Sequence, residues 1–223
     1  MKTIAIIPAR GGSKRLPHKN RLALGGIPLI VHSILYAQQH DFIDEIYVST
    51  DDEVIKNIAL QYDVKVIDRP VAISGDVEPT VSALKNVLEQ IAEVVENVIL
   101  LQPTNPLRPK ELLKDAFEVY QKNNCDSLFT VTRNHQKLGK LSNGVYIPFN
   151  YTIGQRSQDL EPLFYENGLL YITKANLIKE DIIISDKAFP FEVDHIFANV
   201  DVDTKADLDD AEYLYNKLIT YNS

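Results

Sequence analysis

Residues 3–9, TIAIIPA, form an unbroken apolar run closed by Pro8, the pattern of a parallel strand buried on both faces. The stretch PLIVHSILYAQQ follows, with proline at its start and Leu29, Ile30, Ile34 and Ala37 near a helical period. EIYVST predicts a second buried strand. DDEVIKNIALQY then sets Val54, Ile55, Ile58, Ala59 and Tyr62 on one helical stripe, with acids in the first turn where the helix dipole favours them. A short strand is predicted at VKVI, a helix over PTVSALKNVLEQIAEVV with its stripe running from Val81 to Val95, and a strand at NVILLQ. PKELLKDAFEVYQKN reads as a helix and DSLFTVT as a strand. Strands alternating with amphipathic helices imply right-handed βαβ crossovers, and therefore a three-layer α/β/α fold around a mainly parallel sheet.

Between about Arg133 and Leu163 the alternation breaks, and NGVYIPFNYTIGQRSQDLEPL is rich in turn formers and β-prone residues. This predicts an inserted β-arm at about 133–165 within one domain spanning 1–223. The pattern resumes with strands at NGLLYIT and HIFANVDVD and a closing helix, TKADLDDAEYLYNKLI, for which Thr204 and Asp207 form a capping pair.

Composition sharpens the class. With 223 residues, 45% apolar and 24% charged, the chain has the make-up of a soluble globular protein, and it contains no apolar run long enough to span a bilayer. The lone Cys125 excludes an intramolecular disulfide or a Cys-rich metal site and fits a reducing compartment. With no cleavage-site pattern at MKTIAIIPAR, the expected location is cytoplasmic. The net charge is −8, yet residues 1–40 hold Lys2, Arg10, Lys14, Arg15, Lys19 and Arg21 and no acid. The other 183 residues carry 17 basic and 31 acidic side chains, a balance of −14. A basic cluster this local suits a compact anion such as a triphosphate better than polymeric nucleic acid, which calls for an extended basic face.

In an open α/β sheet ligands bind beyond the carboxyl ends of the strands. Polar residues collect there: Arg10 with its glycine loop, Thr50 with Asp51 and Asp52, Gln102 with Thr104 and Asn105, and Asp201. The stretch IIPARGGSKRLPHKN has neither the GxxxxGK[ST] order of a P-loop nor GxGxxG. Gly11 and Gly12 would still let backbone NH groups approach an anion and curl into a nest, with Arg10, Lys14 and Lys19 supplying charge. In DVD, Asp201 and Asp203 fall on one face of extended backbone, and two adjacent carboxylates call for a hard divalent cation, Mg²⁺ above all. Asp203 as a simple helix cap is the competing account. His32 is read as structural, the Tyr and Phe residues of 146–171 mainly as packing of the arm, and Asp51 and Asp52 as helix-start residues.

The motif IIPARGGSKRLPHKN, followed in order by STDDEVI, LLQPTNPLR, RSQDLEPLFYENGLLYI and VDVDTKADLDDAE, resembles the CMP-sialic acid synthetases (acylneuraminate cytidylyltransferases) over nearly the whole chain. The resemblance implies CTP held by the glycine loop and attack on its α-phosphate by the anomeric hydroxyl of a nine-carbon 2-keto sugar acid, with release of pyrophosphate. It implies that Arg10, Gly11, Gly12, Ser13, Lys14 and Lys19 meet the triphosphate, Asn20 the nucleotide, and Arg69 and Thr80 the cytidine. Gln102 would sit at the reacting centre and the sugar, Arg156 and Tyr171 on the sugar side, and Asp201 and Asp203 on Mg²⁺. Arg10, Lys19, Gln102 and Asp203 are the expected catalytic set; a carboxylate of Asp203 or Asp201, or a hydroxide on the metal, could take the proton. The arm resembles the family's dimerisation element, so a homodimer with small-molecule substrates is expected, without nucleic acid or membrane partners. Two departures stand out: Arg15 where the motif often reads GGSKG, and Tyr165 where some bacterial relatives carry arginine at or beside that position. The alternatives are a nucleotide-sugar glycosyltransferase, whose DxD would be expected mid-chain, and a non-catalytic nucleotide-binding regulator. The sequence leaves the sugar, neuraminic, legionaminic, pseudaminic or another, open.

Overall fold

Alternate residues of the first strand are claimed by two different cores. In β1 (Lys2–Pro8), Ile4 and Ile6 face one and Ala5 and Ile7 the other, all four fully buried. The structure, a computed structural model, describes residues 2–222, with side chains described to residue 217. After β1 come a two-residue pair, β2 (Ala23–Leu24) and β3 (Ile27–Pro28), then α1 (Leu29–Gln38), β4 (Glu45–Thr50), α2 (Glu53–Gln61) and β5 (Lys65–Asp68). They are followed by α3 (Thr80–Gln90), β6 (Val95–Leu100), α4 (Leu112–Lys122) and β7 (Ser127–Asn134). The remainder comprises β8 (Gly139–Ser142), β9 (Val145–Pro148), β10 (Leu163–Lys174), α5 (Ala175–Lys179), β11 (Phe189–Glu192) and α6 (Lys205–Asn222).

Among the described residues the main sheet runs β11-β7-β10-β6-β1-β4-β5. Its β6-β1-β4-β5 half is parallel, β10 is antiparallel to both neighbours, and β11 is parallel to β7. Helices α1, α2 and α4 close one face through Ile30, Ile34, Ile55, Leu113 and Phe117. On the other face α3 and α5 bury Leu84, Val87, Ala175 and Ile178. This is the expected three-layer α/β/α sandwich. A third apolar cluster seats α6, through Leu208 and Ala211, on Leu24, Leu29 and Leu107.

The turn between β2 and β3 needs its glycines: Gly25 and Gly26 have φ of 58° and 83°. A Cβ at Gly25 would also stand 1.9 Å from the Tyr215 ring of α6. Asp52 caps α2 by accepting from the Val54 and Ile55 NH groups at 2.9 and 3.0 Å. The pair at the start of α6 is reciprocal: Thr204 N donates to Asp207 Oδ2 at 2.7 Å, and Asp207 N to Thr204 Oγ1 at 3.3 Å.

Three local expectations change. The helix predicted through Val95 ends at Gln90: Ile91 is extended, and Val95 opens β6. HIFANVDVD is not a strand; Ile196–Asn199 is a 3-10 turn and 201–203 are irregular, because Asn105 and Thr104 take the backbone partners a strand would use. The edge strand β11 escaped the pattern reading because FPFE is short, alternating and contains proline. The insertion between β7 and β10 does form a hairpin, β8–β9.

Candidate active site

The glycine loop leaves β1 at the carboxyl edge of the sheet, where Ala9 N donates to Ser49 O of β4 at 2.9 Å. Neither Gly11 nor Gly12 takes a left-handed φ, so the curled nest expected of them is absent. Glycine at 11 is needed for close approach instead: a Cβ there would lie 2.7 Å from Asp52 Oδ2. Gly11 N donates to Asp51 Oδ1 at 2.8 Å, which gives Asp51 a role beyond the helix start. Gly12 faces open space.

A cleft of about 350 Å³ lies beside this loop, lined by Arg10, Arg15, Lys19, Asn20, Arg69, Thr80 and Gln102 among others. Each is held from a different element. Asn20, buried in a 3-10 turn at 19–21, donates through Nδ2 to Arg10 O at 2.9 Å and so ties the two ends of the loop together. Arg69, just past β5, donates from Nε to Ser49 Oγ at 3.1 Å and from Nη2 to Ser49 O at 2.9 Å. Burial pushes the Arg69 pKa down to about 10. Thr80 opens α3. Gln102 follows β6 by two residues, and its carbonyl accepts from Arg108 Nη2 at 2.8 Å.

The cradle's charge is balanced within the chain. Arg10 Nη1 lies 2.7 Å from Asp76 Oδ1, and Lys14 Nζ 2.6 Å from Asp76 Oδ2. Lys19, the most sheltered of the loop cations, is 2.8 Å from Asp203 Oδ1, while Arg15 Nη1 is 3.0 Å from Asp203 Oδ2. The two glycine-loop cations and the DVD segment, nearly 190 residues apart in sequence, therefore share one site. Val202 is fully buried between its two acidic neighbours, and Val202 N donates to Thr104 O at 2.7 Å. Asp201 is raised above the usual carboxylate range, first by its withdrawal from water and next by the Asp203 charge.

Among the described residues no group of three or more His, Cys, Asp or Glu is placed to hold a metal. Two carboxylates are nonetheless what Mg²⁺ takes from protein when substrate phosphates complete its shell. The donor set fits: both are oxygen ligands, they interact electrostatically, and Asp203 is held by cations that triphosphate oxygens would attract.

Tyr171, in β10, is buried, and its hydroxyl donates to Glu166; burial foremost, then Glu166, raises its pKa. Gln102 and Asp201 stand close enough to influence it. Arg156 is not brought to the cleft: it lies exposed in the arm, paired with Asp159 at 2.7 and 3.0 Å. His32 is structural, as expected, with Nε2 2.9 Å from Leu24 O.

The motif QPTNPLR is largely framework. Asn105 donates to Val200 O at 2.9 Å and Asn167 O at 3.2 Å, joining the DVD segment to a β10 bulge where Gly168 has φ 76°. Asp51, Asn105 and Arg108 fall inside the motifs STDDEVI and LLQPTNPLR, but their partners could not be read from those motifs; Asp76 lies in none of the quoted motifs. A second cavity, of about 1000 Å³, opens between the base of the arm and the start of β10, lined by Arg133, Phe149, Phe164, Tyr165 and His195. Here Tyr165 donates to Asn199 Oδ1 at 2.5 Å.

The sequence profile described as cytidylyltransferase matches residues 4–223. A Streptococcus agalactiae serotype V protein named N-acylneuraminate cytidylyltransferase is 36% identical over 93% of this chain and 52% of its own length. The chain thus spans about half the length of such curated relatives. A Campylobacter jejuni pseudaminic acid cytidylyltransferase is 34% identical over 96% of this chain and 97% of its own. A Legionella pneumophila CMP-N,N'-diacetyllegionaminic acid synthase is 34% identical, covering 93% of both. In fold, the chain is similar to a CMP:2-keto-3-deoxy-manno-octonic acid synthetase solved with CTP, with TM-score 0.75 and 19% identity over 97% of this chain and 99% of the other. The chain belongs to the cytidylyltransferase family, in its CMP-sialic acid synthetase branch.

Proposed function

We propose that this chain transfers CMP from CTP to the anomeric hydroxyl of a nonulosonic, sialic-type acid and releases pyrophosphate. The observation that carries the reading is the meeting of the glycine-loop cations Arg15 and Lys19 with Asp203 at one edge of the sheet, beside the cleft that also holds Arg10, Asn20, Arg69, Thr80 and Gln102. The relatives named for N-acylneuraminic, pseudaminic and legionaminic acids support the acceptor class.

Transfer at phosphorus asks the protein mainly to align the nucleophile and offset charge on the phosphate oxygens. Arg10 and Lys14 bind the triphosphate once it replaces Asp76 as their partner. Lys19, fixed by the turn that holds Asn20, stays near the α-phosphate and Asp203. Asp201 and Asp203 would hold Mg²⁺, which when bound would neutralise phosphate charge at the reacting centre. Gln102, its backbone anchored by Arg108, would contact the acceptor through its side chain. An Asp201 or Asp203 carboxylate accepts the anomeric proton.

The 1000 Å³ cavity beyond Asn199 is large enough for a nine-carbon acid. The arm supports a homodimer: Leu141, Phe149 and Ile153 are 81%, 63% and 85% exposed, apolar surface of the kind that a second copy would cover. Among the described residues no helix is long and apolar enough to cross a membrane. Cytoplasmic location is part of the proposal and rests on the single, buried Cys125.

The test is pyrophosphate release from CTP and Mg²⁺ across a panel of 2-keto sugar acids. Release with at least one nonulosonic acid is expected. Release with none of them, alongside intact CTP binding, would favour a non-catalytic binding protein.

A further inference from the structure

The carboxylate of Asp76 lies across the two cations assigned to the triphosphate, one oxygen on each: Oδ1 on Arg10 at 2.7 Å and Oδ2 on Lys14 at 2.6 Å. Two oxygens on one centre, set against a guanidinium and an ammonium, reproduce the way a phosphate group would meet them. Asp76 belongs to the segment 74–79, which joins a 3-10 turn at Val71–Ile73 to α3 and lines the cleft through Gly75, Asp76 and Glu78. Residues 75–79 are exposed, Val77 almost completely, so withdrawing Asp76 uncovers no core. The segment lies within the connection from Arg69 to Thr80, both of which line the cleft.

We propose that Asp76 is an affinity-setting residue for the transfer reaction: an internal competitor that the triphosphate displaces from Arg10 and Lys14, and that recaptures both cations as pyrophosphate leaves. The inference rests on the reading of this cleft as a triphosphate cradle. Asp76 acts through Arg10 and Lys14 and is therefore a positioning residue. Its presence weakens CTP binding and hastens product release.

The test is calorimetric titration of the full chain with inorganic pyrophosphate and with CTP, each with and without Mg²⁺, comparing wild type with Asp76→Asn and Asp76→Glu. With two partly exposed ion pairs removed, Asp76→Asn should bind pyrophosphate roughly fivefold to thirtyfold more tightly, with or without Mg²⁺. In turnover its KM for CTP and its kcat should both fall, with stronger inhibition by pyrophosphate, while Asp76→Glu stays near wild type. Unchanged or weaker pyrophosphate binding by a folded Asp76→Asn would overturn the inference and make the carboxylate a brace for the two cations. A loss seen only with Mg²⁺ would overturn it too, by making Asp76 a metal ligand. Wild type that binds neither CTP nor pyrophosphate would instead sink the cradle reading itself.

Discussion

Replacing Arg108 should show how far the active site depends on a side chain that never reaches it. Arg108 follows β6 and is buried, donating from Nε to Leu169 O at 2.8 Å, from Nη1 to Ser33 Oγ at 3.1 Å and from Nη2 to Gln102 O at 2.8 Å. Its guanidinium also sits 5.6 Å from the centre of the Tyr36 ring. No acid pairs with it in this set, and burial lowers its pKa to about 10. Arg108→Ala removes three charge-assisted bonds and takes a donor from the Leu169 carbonyl and one of the donors from the Gln102 carbonyl, which keeps Asn105 N at 3.2 Å, offset by relief of the buried charge. The net loss is about 3–5 kcal/mol, the range for breaking a buried polar network. At roughly 2–4 °C per kcal/mol for a chain of this size, the melting temperature should fall by about 10 °C. Arg108→Lys keeps the charge but cannot reach all three acceptors, and should lose about half as much. Urea and thermal unfolding supply the stability, and turnover of Arg108→Lys below its melting point reports the placement of Gln102. An Arg108→Ala protein melting within about 2 °C of wild type would mean that these buried bonds contribute almost nothing to stability.

Other expectations are as direct. Lys19→Ala or Arg10→Ala should lower turnover by about two orders of magnitude or more while leaving circular dichroism and melting unchanged; near-normal turnover in both would remove the loop from the mechanism. Gly25→Ala must fit a side chain where φ is 58° and the Tyr215 ring stands 1.9 Å away, so a loss of about 2–3 kcal/mol is expected on urea unfolding. Burial alone would raise Glu45, yet hydrogen bonds from Lys65, Tyr47 and Lys2 outweigh it and bring its pKa from 4.5 to about 2. Because the folded pKa is depressed, this contribution is complete above pH 4.5 and disappears as pH falls toward 2; discounted for solvent screening it is about 1 kcal/mol. Glu45→Gln should therefore lower stability at pH 7 by that amount and flatten the acid limb of the stability profile between pH 5 and 2.

The pattern of apolar positions was enough for the sheet's parallel half, because β1, β4 and β6 are buried runs and α2, α3 and α4 carry apolar stripes, with only the edge strand β5 short and partly exposed. It failed where tertiary bonds replaced local ones. The DVD segment has the alternation of a strand, with Val202 fully buried between its two acids, but its backbone is satisfied by Thr104 and Asn105 rather than by a neighbouring strand. Helix α3 stops short of its apolar stripe because Val95 is needed in β6. The glycine loop was legible as a cluster of charge, and of its cations Lys19, joined by Arg15, converges with Asp203, while Arg10 and Lys14 turn to Asp76. Which acids fold back on the loop was not, since Asp51, which takes the Gly11 NH, and Asp76, which takes Arg10 and Lys14, come from segments after β4 and β5 whose approach no spacing encodes. Arg15, without a role in the sequence, becomes a second partner of Asp203. Arg156, assigned to the sugar side, stays in the arm, paired with Asp159.

If CTP and a nonulosonic acid are joined through phosphorus in this cleft, phosphorus-31 NMR of the wild-type chain with CTP, Mg²⁺ and the sugar acid follows the reaction itself. The three CTP resonances should give way to one phosphodiester resonance and that of pyrophosphate, only when the acid is present, and not in Lys19→Ala. Conversion of CTP without the acid, or its persistence with every nonulosonic acid supplied, would contradict that chemistry.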